Sequence, residues 1–246
     1  MRWRTRILIL IALLGVIPLA AWFSGLWEPR ISTEADQVVL LHGLGRTERA
    51  MWFLRNRLEE SGYRVISVGY PSRSDSPEEL VNHIRDRIEA DVDPNRTVHF
   101  ITHSLGGLLA RAYLTDHPLP HLGRVVMLGP PNHGSEIIDR IGGYWLVQEL
   151  IGPTGSLLGT GPDGLPRKLG PPDYEVGIIA GNSSLNPIGS HLIPGEDDGS
   201  VAVESARLEG MKDFLVVPVS HTFLAYDSDV ADQVIHFLKQ GRFKVE

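Results

Sequence analysis

Short apolar runs alternate along the chain with longer stretches whose apolar positions recur every three or four residues. "QVVLLHG", "YRVISVGY", "RTVHFITH" and "GRVVMLG" are dense in β-branched residues and read as buried strands. Between them, "ERAMWFLRNRLEESG", "SPEELVNHIRDRIEAD" and "SLGGLLARAYLTDH" carry helical spacing, the second opening on Ser76 as N-cap with Pro77 at the first helical position. After an interruption, "YEVGIIAG" and "DFLVVPVS" resume the strand pattern. "DSDVADQVIHFLKQG" then closes as an amphipathic helix stopped by Gly241. Strands that alternate with helices predict an α/β fold: a mostly parallel sheet with helices on both faces.

Two segments depart from that rhythm. Residues 134–172 hold nine glycines and five prolines around the apolar patch "YWLVQELI", too long for an ordinary connection. This segment is expected to be a small cap or lid, with Tyr144, Trp145, Leu146 and Leu150 lining a substrate site; a helix packed permanently on the core is the alternative. At the other departure, "MRWRTR" precedes an uncharged run from Ile7 to Trp27, which as a helix would span roughly 30 Å, about one hydrocarbon core. Residues 1–30 therefore read as a membrane anchor or a cleavable signal segment, followed by a main domain over 31–246. Arg2, Arg4 and Arg6 place the N-terminus in the cytoplasm and the body outside it, membrane-held or, after cleavage, secreted.

Charge and composition narrow the partners. The 246-residue chain has a net charge of −7, and setting aside Arg2, Arg4, Arg6, Arg30 and Glu28 leaves 19 basic against 29 acidic residues. An acidic body without a basic stripe argues against nucleic acid. The absence of cysteine excludes disulfides, a thiolate nucleophile and an acylated cysteine anchor.

The stretch "VHFITHSLGGLLARAYL" puts Ser104 between a strand and a helix, in Thr102-His103-Ser104-Leu105-Gly106. Small residues two positions either side of a serine at such a junction describe a nucleophile elbow, in which the turn is too tight for bulk and the hydroxyl projects above the sheet. A plain helix N-cap is the competing reading of Ser104, and Thr102 stands where the pattern has glycine. A nucleophilic serine needs a histidine base and an acid to orient it, following in the order serine, acid, histidine. His221, directly after "DFLVVPVS", has the position for the base. Within "PGEDDGSVAVES", Asp198 is favoured over Asp197 as the acid, with Glu196 and Asp197 facing water. A calcium site in that cluster lacks regular ligand spacing. For the oxyanion, the backbone N–H of Leu105 at the helix start and of Leu44 in "LLHGLGRTE" are the candidate donors. His103 and His133 are expected to be structural, hydrogen-bonded near the site.

By "HGLG", "HSLGG", "PPNHGSE", "DDGSV" and "SHTFLAY", in that order, residues 38–238 resemble the α/β-hydrolases, and more narrowly bacterial triacylglycerol lipases and esterases. The resemblance implies that Ser104, His221 and Asp198 carry ester hydrolysis on an ester or lipid substrate, without metal or organic cofactor. An acyltransferase using the same residues, and a membrane-tethered binding protein, remain open at this level, as does oligomeric state.

Overall fold

The computed structural model describes residues 34–245, without the side chains of Ile141, Leu146, Val147 and Leu150. The anchor or signal segment expected over residues 1–30 lies outside the described residues, and among the described helices none is long and apolar enough to cross a membrane.

Six strands form one sheet: β1 (Gln37–Leu41), β2 (Arg64–Val68), β3 (Val98–His103), β4 (Leu122–Leu128), β5 (Val176–Gly181) and β6 (Asp213–Val217). Their order is β2-β1-β3-β4-β5-β6, and every neighbouring pair is parallel. β1, β3 and β5 are buried along their whole length, which explains why they read as continuous apolar runs. Pro218 has no N–H to continue a ladder, and β6 ends at Val217, at the edge of the sheet.

Successive strand residues point to opposite faces, so each strand feeds two cores. Val39, Leu41 and Phe100 pack on one face with Leu80, Ile84, Leu105 and Leu108. These come from α2 (Pro77–Asp91) and α3 (Leu105–Asp116). Val38, Leu40 and Ile101 pack on the other with Leu54, Leu58, Val230, Val234 and Phe237, from α1 (Trp52–Glu60) and α9 (Ser228–Gln240). Each such large side chain contributes about 1.5–3 kcal/mol on burial, so α9 is held chiefly by its apolar stripe. The ends of these helices follow local chemistry. Ser76 Oγ accepts from Glu79 N–H at 3.3 Å while Glu79 Oε2 accepts from Ser76 N–H at 2.8 Å, a reciprocal cap at the start of α2. Gly241 ends α9 in the left-handed region, at φ 71°.

The 134–172 segment folds as α4 (Glu136–Ile141), α5 (Trp145–Ser156) and α6 (Leu165–Lys168). Within α5, Gly152 has φ 69° and ψ −175° ahead of Pro153, so two helical pieces meet at a kink. A Cβ at Gly152 would lie 1.6 Å from the Arg73 carbonyl oxygen, and the buried Thr154 hydroxyl donates to the Asp75 carbonyl at 2.7 Å. The insertion is thereby fastened to the loop after β2. Two further short helices, α7 (Pro187–Leu192) and α8 (Val203–Ala206), bracket the acidic loop after β5.

Candidate active site

β3 ends at His103 and α3 begins at Leu105, leaving one residue to reverse direction. That residue, Ser104, adopts φ 55° and is the one non-glycine residue with positive φ among the described residues. Such a conformation costs on the order of 1–3 kcal/mol and persists only where its surroundings impose it. Here Ser104 N–H donates to the Leu128 carbonyl at 2.9 Å and its own carbonyl accepts from Gly107 N–H at 2.9 Å. A Cβ at Gly106 would sit 2.6 Å from the Leu41 carbonyl oxygen and 2.8 Å from that of His42. Thr102 fits two residues before the serine because Gly107 leaves room beside it: a Cβ there would approach Thr102 Oγ1 to 3.3 Å. The Thr102 hydroxyl itself is buried and has no hydrogen-bond partner among the described residues.

His221 opens a short 3₁₀ turn after β6. Its Nε2 lies 3.0 Å from Ser104 Oγ and its Nδ1 2.7 Å from Asp198 Oδ2. The Asp198 side chain is 1% exposed. Its other oxygen accepts from the N–H groups of Ser200 at 3.0 Å and Val201 at 2.8 Å, and its carbonyl accepts from His221 N–H at 2.9 Å. With the carboxylate accepting from Nδ1–H, Nε2 is left to accept from the serine hydroxyl. Space for the carboxylate–imidazole contact depends on Gly129, where a Cβ would come within 3.1 Å of both Asp198 Oδ2 and His221 Nδ1. Asp197 does not face water: it is nearly buried, and its Oδ1 accepts from Ser190 Oγ–H at 2.6 Å and Gly199 N–H at 2.7 Å. Glu196 remains outside, accepting from Asn182 at 3.3 Å. Among the described residues no group of three or more histidine or acidic side chains is arranged to hold a metal ion.

His103 donates from Nε2 to the His221 carbonyl at 2.9 Å, with the two rings 4.8 Å apart. Burial, and secondarily the neighbouring His221, push the His103 imidazole down to about 3, so it is a neutral strut at physiological pH. His133, by contrast, is exposed. Its neighbour Asn132 does the structural work in "PPNHGSE", accepting from Arg111 at 3.0 Å and donating to the Ala206 carbonyl at 2.8 Å.

The loop after β1 is held from both sides. His42 stacks on Tyr70 at 4.0 Å and 17°. Its Nδ1 donates to the Gly43 carbonyl at 2.9 Å, its Nε2 accepts from Tyr70 N–H at 3.4 Å, and the Tyr70 hydroxyl donates to the His42 carbonyl. Burial lowers the His42 pKa and raises that of Tyr70 well above its ordinary value, so both are neutral. Gly45 N–H donates to Ser72 Oγ at 2.9 Å. Leu44 lies between these anchors and lines the cavity that contains Ser104. Leu105, at the first position of α3, belongs to the turn whose N–H groups have no acceptor within a helix.

That cavity measures about 340 Å³. Leu44, Pro131, Ile137, Ile138, Leu158 and Val201 supply its apolar lining; Ser135, Asn186, Ser200, Thr222 and Arg46 supply polar lining. The insertion thus contributes to the site through Ser135, Ile137, Ile138 and Leu158 rather than through the aromatic pair expected from sequence. Tyr144 and Trp145 are 67% and 76% exposed and are not among its lining residues. They precede and start α5 and project outward, while α4 supplies the isoleucines. The side chains of Leu146 and Leu150 lie outside what the structure describes. A larger cleft of about 1170 Å³ runs past Asp36, Tyr63, His99, Arg124 and Glu175, at the N-terminal ends of the strands. It holds no serine or cysteine.

A parallel sheet with a strained serine at a strand-to-helix turn, and an acid and a histidine on later loops at the same end of the strands, defines the α/β-hydrolase architecture. Residues 38–231 match the alpha/beta hydrolase family, to which the chain belongs. Solved structures similar to it include the mature lipase BlEst2 of Bacillus licheniformis, with a TM-score of 0.61 and 22% identity over 79% of this chain and 88% of that one. A metagenomic carboxyl esterase, MGS0156, gives 0.62 and 21% identity over 78% of this chain and 66% of that one. The phospholipase PlaB of Legionella pneumophila gives 0.62 and 17% over 83% and 59%. At these identities the likeness is one of fold. No curated protein matches the chain in a sequence comparison.

Proposed function

We propose that the chain is a serine carboxylic-ester hydrolase of the lipase/esterase kind. The observation that carries this reading is the unbroken hydrogen-bonded chain Asp198–His221–Ser104 opening onto a mainly apolar cavity. In this mechanism Ser104 Oγ attacks the ester carbonyl as His221 Nε2 takes its proton, and Asp198 holds the imidazole and stabilises its charged form. The N–H groups of Leu44 and Leu105 receive the oxyanion, each such donor being worth about 3 kcal/mol. The tetrahedral adduct then expels the alcohol, which receives the proton from His221. Water, deprotonated by the same imidazole, releases the acid and restores the serine. The lipase, phospholipase and esterase among the similar structures support an ester or lipid substrate. The uncharged run after "MRWRTR" supports a membrane-held protein with this domain outside the cytoplasm.

The test is hydrolysis of p-nitrophenyl esters of increasing acyl length by the full-length protein beside Ser104→Ala. Activity lost with Ser104 supports the hydrolase, and the chain-length optimum sorts esterase from lipase. Release of p-nitrophenol that depends on an added alcohol, with a new ester as product, would instead identify an acyltransferase.

A further inference from the structure

Arg46 stands out from the rest of the cavity wall. Apart from His103 and His221 it is the one ionisable residue lining that cavity among the described residues. The chain is acidic overall, and many of its arginines are neutralised: Arg55, Arg57, Arg85, Arg87, Arg124 and Arg207 all pair with carboxylates. Arg46 forms no ion pair among the described residues, and its side chain makes one long hydrogen bond, Nη2 to Thr222 Oγ1 at 3.4 Å. Its backbone is fixed, since Arg46 N–H closes the Leu44 turn on the Gly43 carbonyl at 3.3 Å and Gly45 is bonded to Ser72. Thr222, its partner, directly follows His221. In the serine-hydrolase reading His221 must hand its proton to the departing oxygen, so the alcohol half of the ester lies beside His221 and Thr222. The cation therefore borders the alcohol side of the site. The acyl chain has apolar surface available at Ile137, Ile138, Leu158 and Val201.

We propose that Arg46 binds an anionic oxygen group, phosphate or carboxylate, carried by the alcohol half of the substrate. A guanidinium suits this task because its forked donors meet two oxygens of such a group at once, which an ammonium does not. Its positive charge also reaches the site interior, helping to keep His103 neutral. The inference rests on the hydrolase reading for which half of the ester faces Arg46, but binding can be measured without turnover.

Full-length Ser104→Ala protein is titrated by calorimetry with 1-octanoylglycerol 3-phosphate and with neutral 1-octanoylglycerol, below their micelle concentrations. The phosphate ester is expected to bind about fivefold more tightly, the upper range for a solvent-accessible ion pair. That advantage should vanish in Ser104→Ala/Arg46→Gln, persist in part with Arg46→Lys, and shrink as salt is raised. Equal affinity for the two esters, or an advantage that survives Arg46→Gln, overturns the proposal. In the Ser104-intact protein, the ratio of kcat/KM for 3-carboxy-4-nitrophenyl butyrate over p-nitrophenyl butyrate should fall about fivefold with Arg46→Gln, while the ratio for p-nitrophenyl hemiglutarate, charged on the acyl half, should not. An equal fall for both charged esters overturns the assignment to the alcohol half. A carboxylate in place of phosphate thus distinguishes general anion binding from phosphate binding alone. Absence of hydrolysis with a retained binding preference would overturn the hydrolase reading and leave the anion site standing.

Discussion

Asp197 and Asp198 are adjacent carboxylates, both largely withdrawn from water, that serve different partners. Asp198 bonds the histidine ring; Asp197 ties Ser190 and Gly199 together. Asp198→Asn should lower kcat on p-nitrophenyl butyrate by about 10³–10⁴-fold, because the amide favours the wrong imidazole tautomer. Asp197→Asn keeps an acceptor oxygen and should leave kcat near the parent value. That Asp198, His221 and Ser104 meet was legible in the sequence, but the partner of Asp197 was not, since two neighbouring acids look alike until a serine seven residues upstream folds onto one of them. Thr102 offers a stability test. Its buried hydroxyl lacks a partner, and a hydroxyl left so costs about 1–3 kcal/mol. Thr102→Val should raise the thermal midpoint, read by circular dichroism.

Among the elements, β1, β3 and α3 fix the geometry jointly. The carbonyls of Leu41 and His42, at the end of β1 and just after it, press against Gly106 in α3, so the elbow and the loop bearing Leu44 are one mechanical unit. Gly106→Ala should cost about 1–3 kcal/mol by overpacking, seen as a lower urea midpoint. All six strands and most of the large helices were legible through their apolar runs and spacing, most clearly β1, β3 and β5, whose burial on both faces leaves continuous apolar runs. The insertion was legible as an irregular segment but not in its lining. Apolar content at Tyr144 and Trp145 carries no direction, and Gly152 and Pro153 set a kink that spacing cannot give. Ile138→Ala and Leu158→Ala are accordingly expected to raise KM for octanoyl esters. Trp145→Ala should leave KM for soluble esters unchanged.

At the scale of the whole molecule, His42, His99 and His103 are the buried histidines among the described residues, and all three are uncharged at neutral pH. His103 is pushed down to about 3, and burial lowers His42 and His99 as well. Each holds its proton less tightly in the folded chain than in the unfolded one. Stability is therefore complete above pH 6.5 and is lost as pH falls below it, where the unfolded chain takes up protons that the folded chain refuses. His103 by itself corresponds to a loss on the order of 2 kcal/mol between pH 6.5 and 5. Urea midpoints should drop over that interval, and His103→Gln should flatten the profile.

Ser104 and His221 are separated by 117 positions, and the histidine arrives behind the last strand of the sheet. At roughly 5–20 residues per second of synthesis, a nascent chain carries its serine for about 6–23 seconds before the proposed base has been made. Asp198 follows the serine by 94 positions and His221 comes 23 later, so the histidine is the last of the three to be made. In the proposed mechanism, a chain stalled before His221 therefore has no base for Ser104 and leaves the esters around it intact.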